Sequence, residues 1–304
     1  MQSLTSKNVE TLTKAQRPTL TVVLPAKNES GAVGATIARI REIFPEDEIV
    51  VVDDGSTDDT AEIARNAGAH VVRHPYSKGN GAAIKTGARA AKGEVLVFMD
   101  ADGQHDPIDI SRLLSRLDES YDMVVGARQA GSQASVGRGL ANRFYNRLAT
   151  YMTGHRVADL TSGFRAVRAN RFREFLYLLP NGFSYPTTIT MAFFRAGYAV
   201  AYEPIHAAKR IGQSHLRPLH DGLRFLLIIF KIGTLYSPLK LFLPFAVFLF
   251  ALGTGWYAHT LFSQGRFTNM SALFYTGSIT VFLMGLISEQ ITGLMYKDSD
   301  KHDH

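Results

Sequence analysis

Two stretches near the C-terminus constrain this 304-residue chain more than any other feature. Residues 241–262 are 22 positions without a formal charge, and 271–288 are a second uncharged run of 18. A bilayer core takes about 20 apolar residues in helical form, because in hydrocarbon each backbone amide must be satisfied within its own segment. Buried core helices would share this composition. Two such runs in succession, with only the short polar stretch 263–270 between them, favour a membrane-spanning hairpin. Lys231, Lys240, Lys297 and Lys301 flank it, whereas the turn carries only Arg266, so the positive-inside rule puts both flanks in the cytoplasm. Trp256 and Tyr257 suit an interfacial anchor, and Glu289 either reaches the interface or pairs with a basic group. Residues 223–232, apolar with Arg224 and Lys231 spaced among them, read as a helix lying in the membrane interface.

The preceding part has a different rhythm. Residues 19–24, 48–52, 70–73, 95–99 and 123–126 read as strands, alternating with helical patterns over 31–44, 58–67, 79–91 and 107–117. This alternation predicts an α/β fold with a mostly parallel sheet covered by helices on both faces. The expected organisation is a polar N-terminal tail (1–17), an α/β domain (18–217), a juxtamembrane helix (218–238), a two-helix hairpin (239–296) and a cytoplasmic tail (297–304). The tail lacks the apolar core of a signal peptide.

The chain contains no cysteine, which excludes disulfides, zinc–thiolate sites and a cysteine nucleophile. Its net charge of +6 is unevenly placed: residues 128–173 hold nine arginines and a single acid, Asp159. Nucleic acid, anionic headgroups or phosphorylated substrates would suit such a stretch, and the dominance of arginine over lysine favours phosphate forks.

The chemistry concentrates at strand ends. The run 95–105, VLVFMDADGQH, ends an apolar strand in Asp100 and Asp102 with Gln104 two residues on. Alternate side chains of an extended or turning segment share a side, so these three can converge. Their oxygens are the ligands Mg²⁺ or Mn²⁺ prefers, usually shared with substrate phosphates. Two more strands end in polar residues on the same edge, at 25–29 (PAKNE) and 53–58 (DDGSTD), the edge where ligands bind in open α/β sheets. Asp54 is assigned to a nucleotide there, with Ser56 and Asp58 doing turn and N-cap work. Residues 78–85, KGNGAAIK, form a glycine loop entering a helix, a geometry that suits phosphate. It lacks the third glycine of the dinucleotide fingerprint, and no Gly-Lys-Ser/Thr phosphate loop occurs, which argues against a dehydrogenase and an ATPase.

Together, PAKNE (25–29), VVDDGSTDDT (51–60), MDADGQHDP (99–107), GAR (126–128), DLTSGFRAVR (159–168) and RIGQSH (210–215) resemble family 2 glycosyltransferases of the GT-A fold. Among these the dolichol- or polyprenol-phosphate mannosyltransferases are most similar, and the C-terminal hairpin resembles their bacterial, membrane-anchored branch. The resemblance implies that Pro25, Lys27, Glu29, Val52 and Asp54 hold the base and ribose of a nucleotide-sugar. It implies that Asp100, Ala101, Asp102 and Gln104 contact the donor, with Asp100, Asp102 and Gln104 around Mg²⁺ or Mn²⁺. Arg210 would close over the diphosphate, while Arg128, Arg138 and Asn142 would hold a lipid phosphate. Asn142 stands where serine is common, His215 where lysine is usual, and the segment between Arg128 and Arg138 is short for the family.

The implied reaction is inverting transfer of a sugar to the phosphate of a polyprenyl or dolichyl phosphate at the cytoplasmic membrane face. A phosphomonoester is largely dianionic near neutrality, with a second pKa of about 6, so it needs no strong base. Asp159 is therefore either a base or the organiser of the 161–163 turn. A hydroxyl acceptor and a non-catalytic scaffold of the same fold are the alternatives; nucleic acid is not an expected partner. The family includes homo-oligomers, and no sequence feature here decides that state.

Overall fold

The computed structural model describes residues 18–128, 136–182, 184–206 and 236–297, together with Phe230, Gly233 and Thr234. The apolar runs become strands β1 (Leu20–Ala26), β2 (Glu48–Asp53), β3 (His70–Arg73), β4 (Val95–Phe98) and β5 (Met123–Arg128). Two further strands, β6 (Arg165–Arg168) and β7 (Val200–Ile205), complete one sheet in the order β3-β2-β1-β4-β6-β5-β7. All neighbours pair in parallel except β6, which runs antiparallel to both β4 and β5. The alternation in the sequence does not announce β6, because the strand Arg-Ala-Val-Arg begins and ends with charge.

Helices α1 (Val33–Ile43), α2 (Thr60–Asn66), α3 (Asn80–Ala90), α4 (Ile108–Asp118), α5 (Val136–Thr153), α6 (Ala169–Arg173) and α7 (Tyr185–Arg195) surround the sheet. Alternate strand residues feed two cores. Val22, Leu24 and Val97 pack with Ile37, Ile110 and Leu113 from α1 and α4. Val23, Leu96 and Phe98 pack with Ile84, Phe172, Ile189 and Phe193 from α3, α6 and α7. Burial on both faces is why these strands are almost continuously apolar.

The hairpin consists of α8 (Pro238–Gln264) and α9 (Asn269–Lys297), both long and apolar enough to cross a membrane, each with a mean hydropathy of 1.7. Gly265 closes α8 at φ 68°, its amide bonded to the Leu261 carbonyl at 3.0 Å, a left-handed cap that glycine adopts without strain. Ser278 donates to the Ala246 carbonyl at 2.8 Å, and Gly253 and Gly285 lie against Phe274 and Phe242, so small residues let the two backbones approach. Outward-facing Phe245, Phe248 and Phe262 remain exposed, as a lipid-facing surface requires. The interfacial helix expected at 223–232 falls, apart from Phe230, outside the described residues.

Candidate active site

The order β2-β1-β4 sets the three polar strand ends side by side. In register, Ala26 pairs with Asp53, and the Asp54 amide donates to the Ala26 carbonyl at 2.9 Å. A cleft of about 420 Å³ opens at this edge. Its floor comes from Pro25, Lys27, Glu29, Asp54, Asp100, Ala101 and Asp102. One wall is Ser77, Gly79, Asn80 and Ala83 at the start of α3; the other is Thr161, Gly163, Tyr185 and Pro186.

Side-chain bonds stitch the strand-end loops together. Asn28, at φ 54°, accepts from the Thr57 amide at 2.9 Å, while its own amide donates to the Ser56 hydroxyl at 2.9 Å. Asp58 accepts from the amides of Thr60 and Ser30 at 3.1 and 3.2 Å; burial opposes its ionised form, but these bonds prevail and hold the carboxyl at about 2. Ser56 and Asp58 thus do the turn work expected of them, whereas the N-cap residue of α2 is Asp59, whose side chain makes no capping bond.

Asp54 lines the cleft, yet its carboxylate already serves the protein. Oδ1 accepts from His74 Nδ1 at 2.7 Å and the Lys78 amide at 2.8 Å; Oδ2 accepts from the Ser77 hydroxyl at 2.8 Å and the Gly79 amide at 2.9 Å. Burial works to raise its pKa, and these four donors more than reverse that, bringing it down to about 2. With two donors on each oxygen, Asp54 organises the loop before α3. Lys27 joins the same chain through Ser77, Nζ to Oγ at 3.0 Å.

Asp100 and Asp102 both face the cleft, and the charge of Asp100 bears on the Arg128 guanidinium. Gln104 does not join them. Gly103, at φ 73°, turns the chain, and Gln104 lines a separate depression with Arg39, His105 and Ile108; only its amide returns, to Asp102 Oδ1 at 3.1 Å. The expected convergence of three side chains is therefore a convergence of two, because the left-handed backbone at Gly103 breaks the alternation before Gln104. Val52 is likewise buried in the sheet against Val50 and Ala83, with no side-chain access to the cleft. Among the described residues no group of three acidic, histidine or cysteine side chains could cage a metal unaided. Two carboxylates in the floor of the cleft nonetheless fit Mg²⁺ or Mn²⁺, which commonly take one or two carboxylates and complete their shell with water and substrate phosphates.

Arg128, at the end of β5, stands just behind the Thr161 wall. Its Nε and Nη2 bond Asp159 Oδ2 and Oδ1 at 2.8 and 3.0 Å, and Nη2 also reaches the Thr161 hydroxyl at 2.6 Å. Asp159 further accepts from the amides of Thr161 and Ser162, both at 3.1 Å. Burial opposes its charge, but the Arg128 fork prevails and holds the carboxyl below the usual range. These bonds are what the turn-organising reading of Asp159 requires. Arg138 and Asn142 lie one turn apart along α5, with side chains outside the described set, and Arg210 falls outside the described residues altogether.

Three contributors were not read from the sequence. His74 bridges Asp54 and the Thr86 hydroxyl, Nε2 to Oγ1 at 2.9 Å. Tyr185 donates to the Gly163 carbonyl at 3.3 Å, its phenol pushed up by burial. Arg165 is wholly buried and ties the carbonyls of Ser162 and Pro186 together, joining the two halves of one cleft wall. The only sequence signals were Pro186 at a helix start and the arginine inside DLTSGFR. The glycine loop also has a different use. A side chain on Gly79 or Gly81 would collide with the backbone carbonyls of Asn181 or Pro180, so these glycines permit two chain segments to touch.

The fold and the cleft place the chain in the GT-A class. It belongs to the family 2 glycosyltransferases: residues 21–176 match the model for Glycosyl transferase family 2, and residues 237–294 match that for the GtrB C-terminal hairpin. The undecaprenyl-phosphate 4-deoxy-4-formamido-L-arabinose transferase of Pectobacterium carotovorum is 30% identical over 92% of this chain and 89% of that protein. The dolichyl-phosphate hexose transferase of Haloferax volcanii is 32% identical over 67% of this chain and 89% of that protein. Among solved structures, glucosyl-3-phosphoglycerate synthase from Mycobacterium tuberculosis with Mn²⁺, UDP-glucose and phosphoglyceric acid superposes with a TM-score of 0.57. Its identity is 26%, covering 71% of this chain and 79% of that one.

Proposed function

We propose that this glycosyltransferase moves a hexose-type sugar from a nucleotide-sugar to the phosphate of a polyprenyl phosphate, with inversion, at the cytoplasmic face of a membrane. The observation that carries the reading is the Arg128–Asp159 fork beside the cleft. A hydroxyl acceptor needs a positioned general base, commonly a carboxylate in this kind of site. Asp159, behind the Thr161 wall, is held ionised and occupied by Arg128. A phosphate acceptor needs none, since it arrives as an anion. Arg128 leads into the arginine-rich segment of α5, and the chain continues to a membrane hairpin, which supplies both a cationic approach and a lipid address.

In this reading a phosphate oxygen attacks the anomeric carbon in line, the bond to the nucleoside diphosphate breaks, and no proton need be removed. Asp100 and Asp102 would hold the divalent ion, Mg²⁺ or Mn²⁺, which supplies Lewis-acid stabilisation of the departing diphosphate. Lys27 and Glu29 would face the nucleoside, and Asp54 would act through the loop it organises. Arg210 retains its proposed role at the diphosphate, and Arg138, Asn142 and Arg128, the last oriented by Asp159, retain theirs at the lipid phosphate. The relatives' names, which pair undecaprenyl or dolichyl phosphate with a sugar, support the acceptor class.

The test is to incubate the purified chain, in vesicles containing polyprenyl phosphate, with a panel of labelled nucleotide-sugars including GDP-mannose and UDP-sugars. Mg²⁺- or Mn²⁺-dependent transfer of label to the lipid, abolished by EDTA, is the expected result. Transfer to a hydroxyl-bearing glycolipid with none to polyprenyl phosphate would overturn the reading.

A further inference from the structure

A carboxylate on a membrane-crossing helix is costly unless paired, so its partner is informative. Glu289 lies on α9 about two turns before that helix ends. Its Oε1 accepts from Arg195 Nη1 at 3.2 Å, while Oε2 accepts from the Ser237 hydroxyl at 3.3 Å and the Leu239 amide at 3.2 Å. One side chain thus satisfies the start of α8 and grips a residue of the α/β domain. Arg195 donates in addition to the Tyr236 carbonyl. Around this joint, Lys240 Nζ reaches the Met152 carbonyl at 2.8 Å and the Tyr177 hydroxyl reaches the Met295 carbonyl at 2.9 Å.

Arg195 is the last residue of α7, and the first two, Tyr185 and Pro186, line the cleft. Eleven residues at 1.5 Å each make a rod of about 16 Å. Residues Tyr185 to Phe193 are all buried, so the rod cannot bend or slide without disturbing the core. A single packed helix therefore links the cleft to the membrane hairpin, with the ion pair at its membrane end. A substrate dissolved in water can reach the cleft at any tilt. An acceptor whose tail is held in the bilayer reaches it only at a set height and angle.

We propose that Glu289 is a positioning residue: through Arg195 and α7 it fixes the height and tilt of the cleft over the bilayer, and so the access of a lipid-borne phosphate. The proposal rests on the polyprenyl-phosphate reading above. Glu289→Ala removes the acceptor of three donors, whereas Glu289→Gln keeps a hydrogen-bonding oxygen for Arg195 and loses the charge.

Both variants of the full chain are compared with the wild type in phosphatidylcholine–phosphatidylglycerol vesicles carrying long-chain polyprenyl phosphate. They are compared again in micelles with a short-chain, water-soluble polyprenyl phosphate, and nucleotide-sugar affinity is measured throughout. The expected result is an acceptor KM raised about tenfold for Glu289→Ala in vesicles, a difference of 1.4 kcal/mol. Glu289→Gln falls between it and the wild type, nucleotide-sugar affinity is unchanged, and the short-chain acceptor shows little difference. An unchanged vesicle KM overturns the proposal, as does an equal loss with the short-chain acceptor or a parallel loss of nucleotide-sugar affinity, which would mark a merely structural role. If Glu289→Ala does not fold, Glu289→Gln alone decides by the same criteria. Absence of any transfer to polyprenyl phosphate by the wild type overturns the acceptor reading, and this proposal with it.

Discussion

Arg128 and Asp159, thirty-one residues apart in the chain, meet in a two-point ion pair at 2.8 and 3.0 Å behind one wall of the cleft. Asp159 is almost fully buried, so removing its partner leaves a carboxylate with only backbone and hydroxyl donors. Arg128→Ala should lower stability by roughly 3 kcal/mol, the usual cost of orphaning one member of a buried pair. Arg128→Lys should recover only part of it, since an ammonium cannot reproduce the fork. Urea unfolding in detergent measures both; equal stability of all three proteins would show that the pair does not hold the turn.

Asp102→Ala should leave the chain folded and membrane-bound while reducing transfer on the order of a thousandfold, because several kcal/mol of leaving-group stabilisation is lost. Steady-state rates across a Mn²⁺ titration read the effect. Full activity in the purified variant would remove Asp102 from the metal site.

Asp54 carries a pH signature. Its folded pKa of about 2 lies below the ordinary 3.8, so the ionised carboxylate stabilises the fold. That contribution is complete above about pH 4 and is lost as pH falls through about 2. Asp54→Asn should be less stable than the wild type at neutral pH and should lose less stability between pH 4 and 2. Thermal midpoints across that range test it, and parallel curves for the two proteins would contradict it.

Gly81→Ala should destabilise by about 1–3 kcal/mol, the range for forcing atoms into a packed site, because the obstacles are backbone carbonyls that cannot rotate away. Gly31→Ala, with open space around the new methyl, should fall within about 0.5 kcal/mol of the wild type. The paired measurement separates contact from composition, and similar losses at both sites would refute the packing account.

Membrane orientation is testable because the chain has no cysteine of its own. A cysteine replacing exposed Phe267, in the turn between α8 and α9, should react with a membrane-impermeant maleimide in intact cells. One replacing exposed Asp118, at the end of α4, should react only after lysis. The reverse pattern would put the cleft outside.

What could be read in the sequence was whatever a local pattern encodes. Uncharged runs of spanning length give α8 and α9, and apolar runs ending in carboxylates give β1, β2 and β4 with Asp54, Asp100 and Asp102 at one edge. These depend on periodicity and solvent preference over a few neighbouring residues, and they pointed to the class of chemistry. Partnership between distant residues was decided only by the tertiary structure. It turned Gln104 away from Asp100, gave all of Asp54's oxygens to the loop before α3, inserted β6 against the direction of its neighbours, and matched Asp159 with Arg128 and Glu289 with Arg195. A carboxylate looks the same in the chain whether it meets a metal, an amide or an arginine. Which one it meets depends on how segments 20 to 94 residues apart pack together, and that packing answers to the whole core at once.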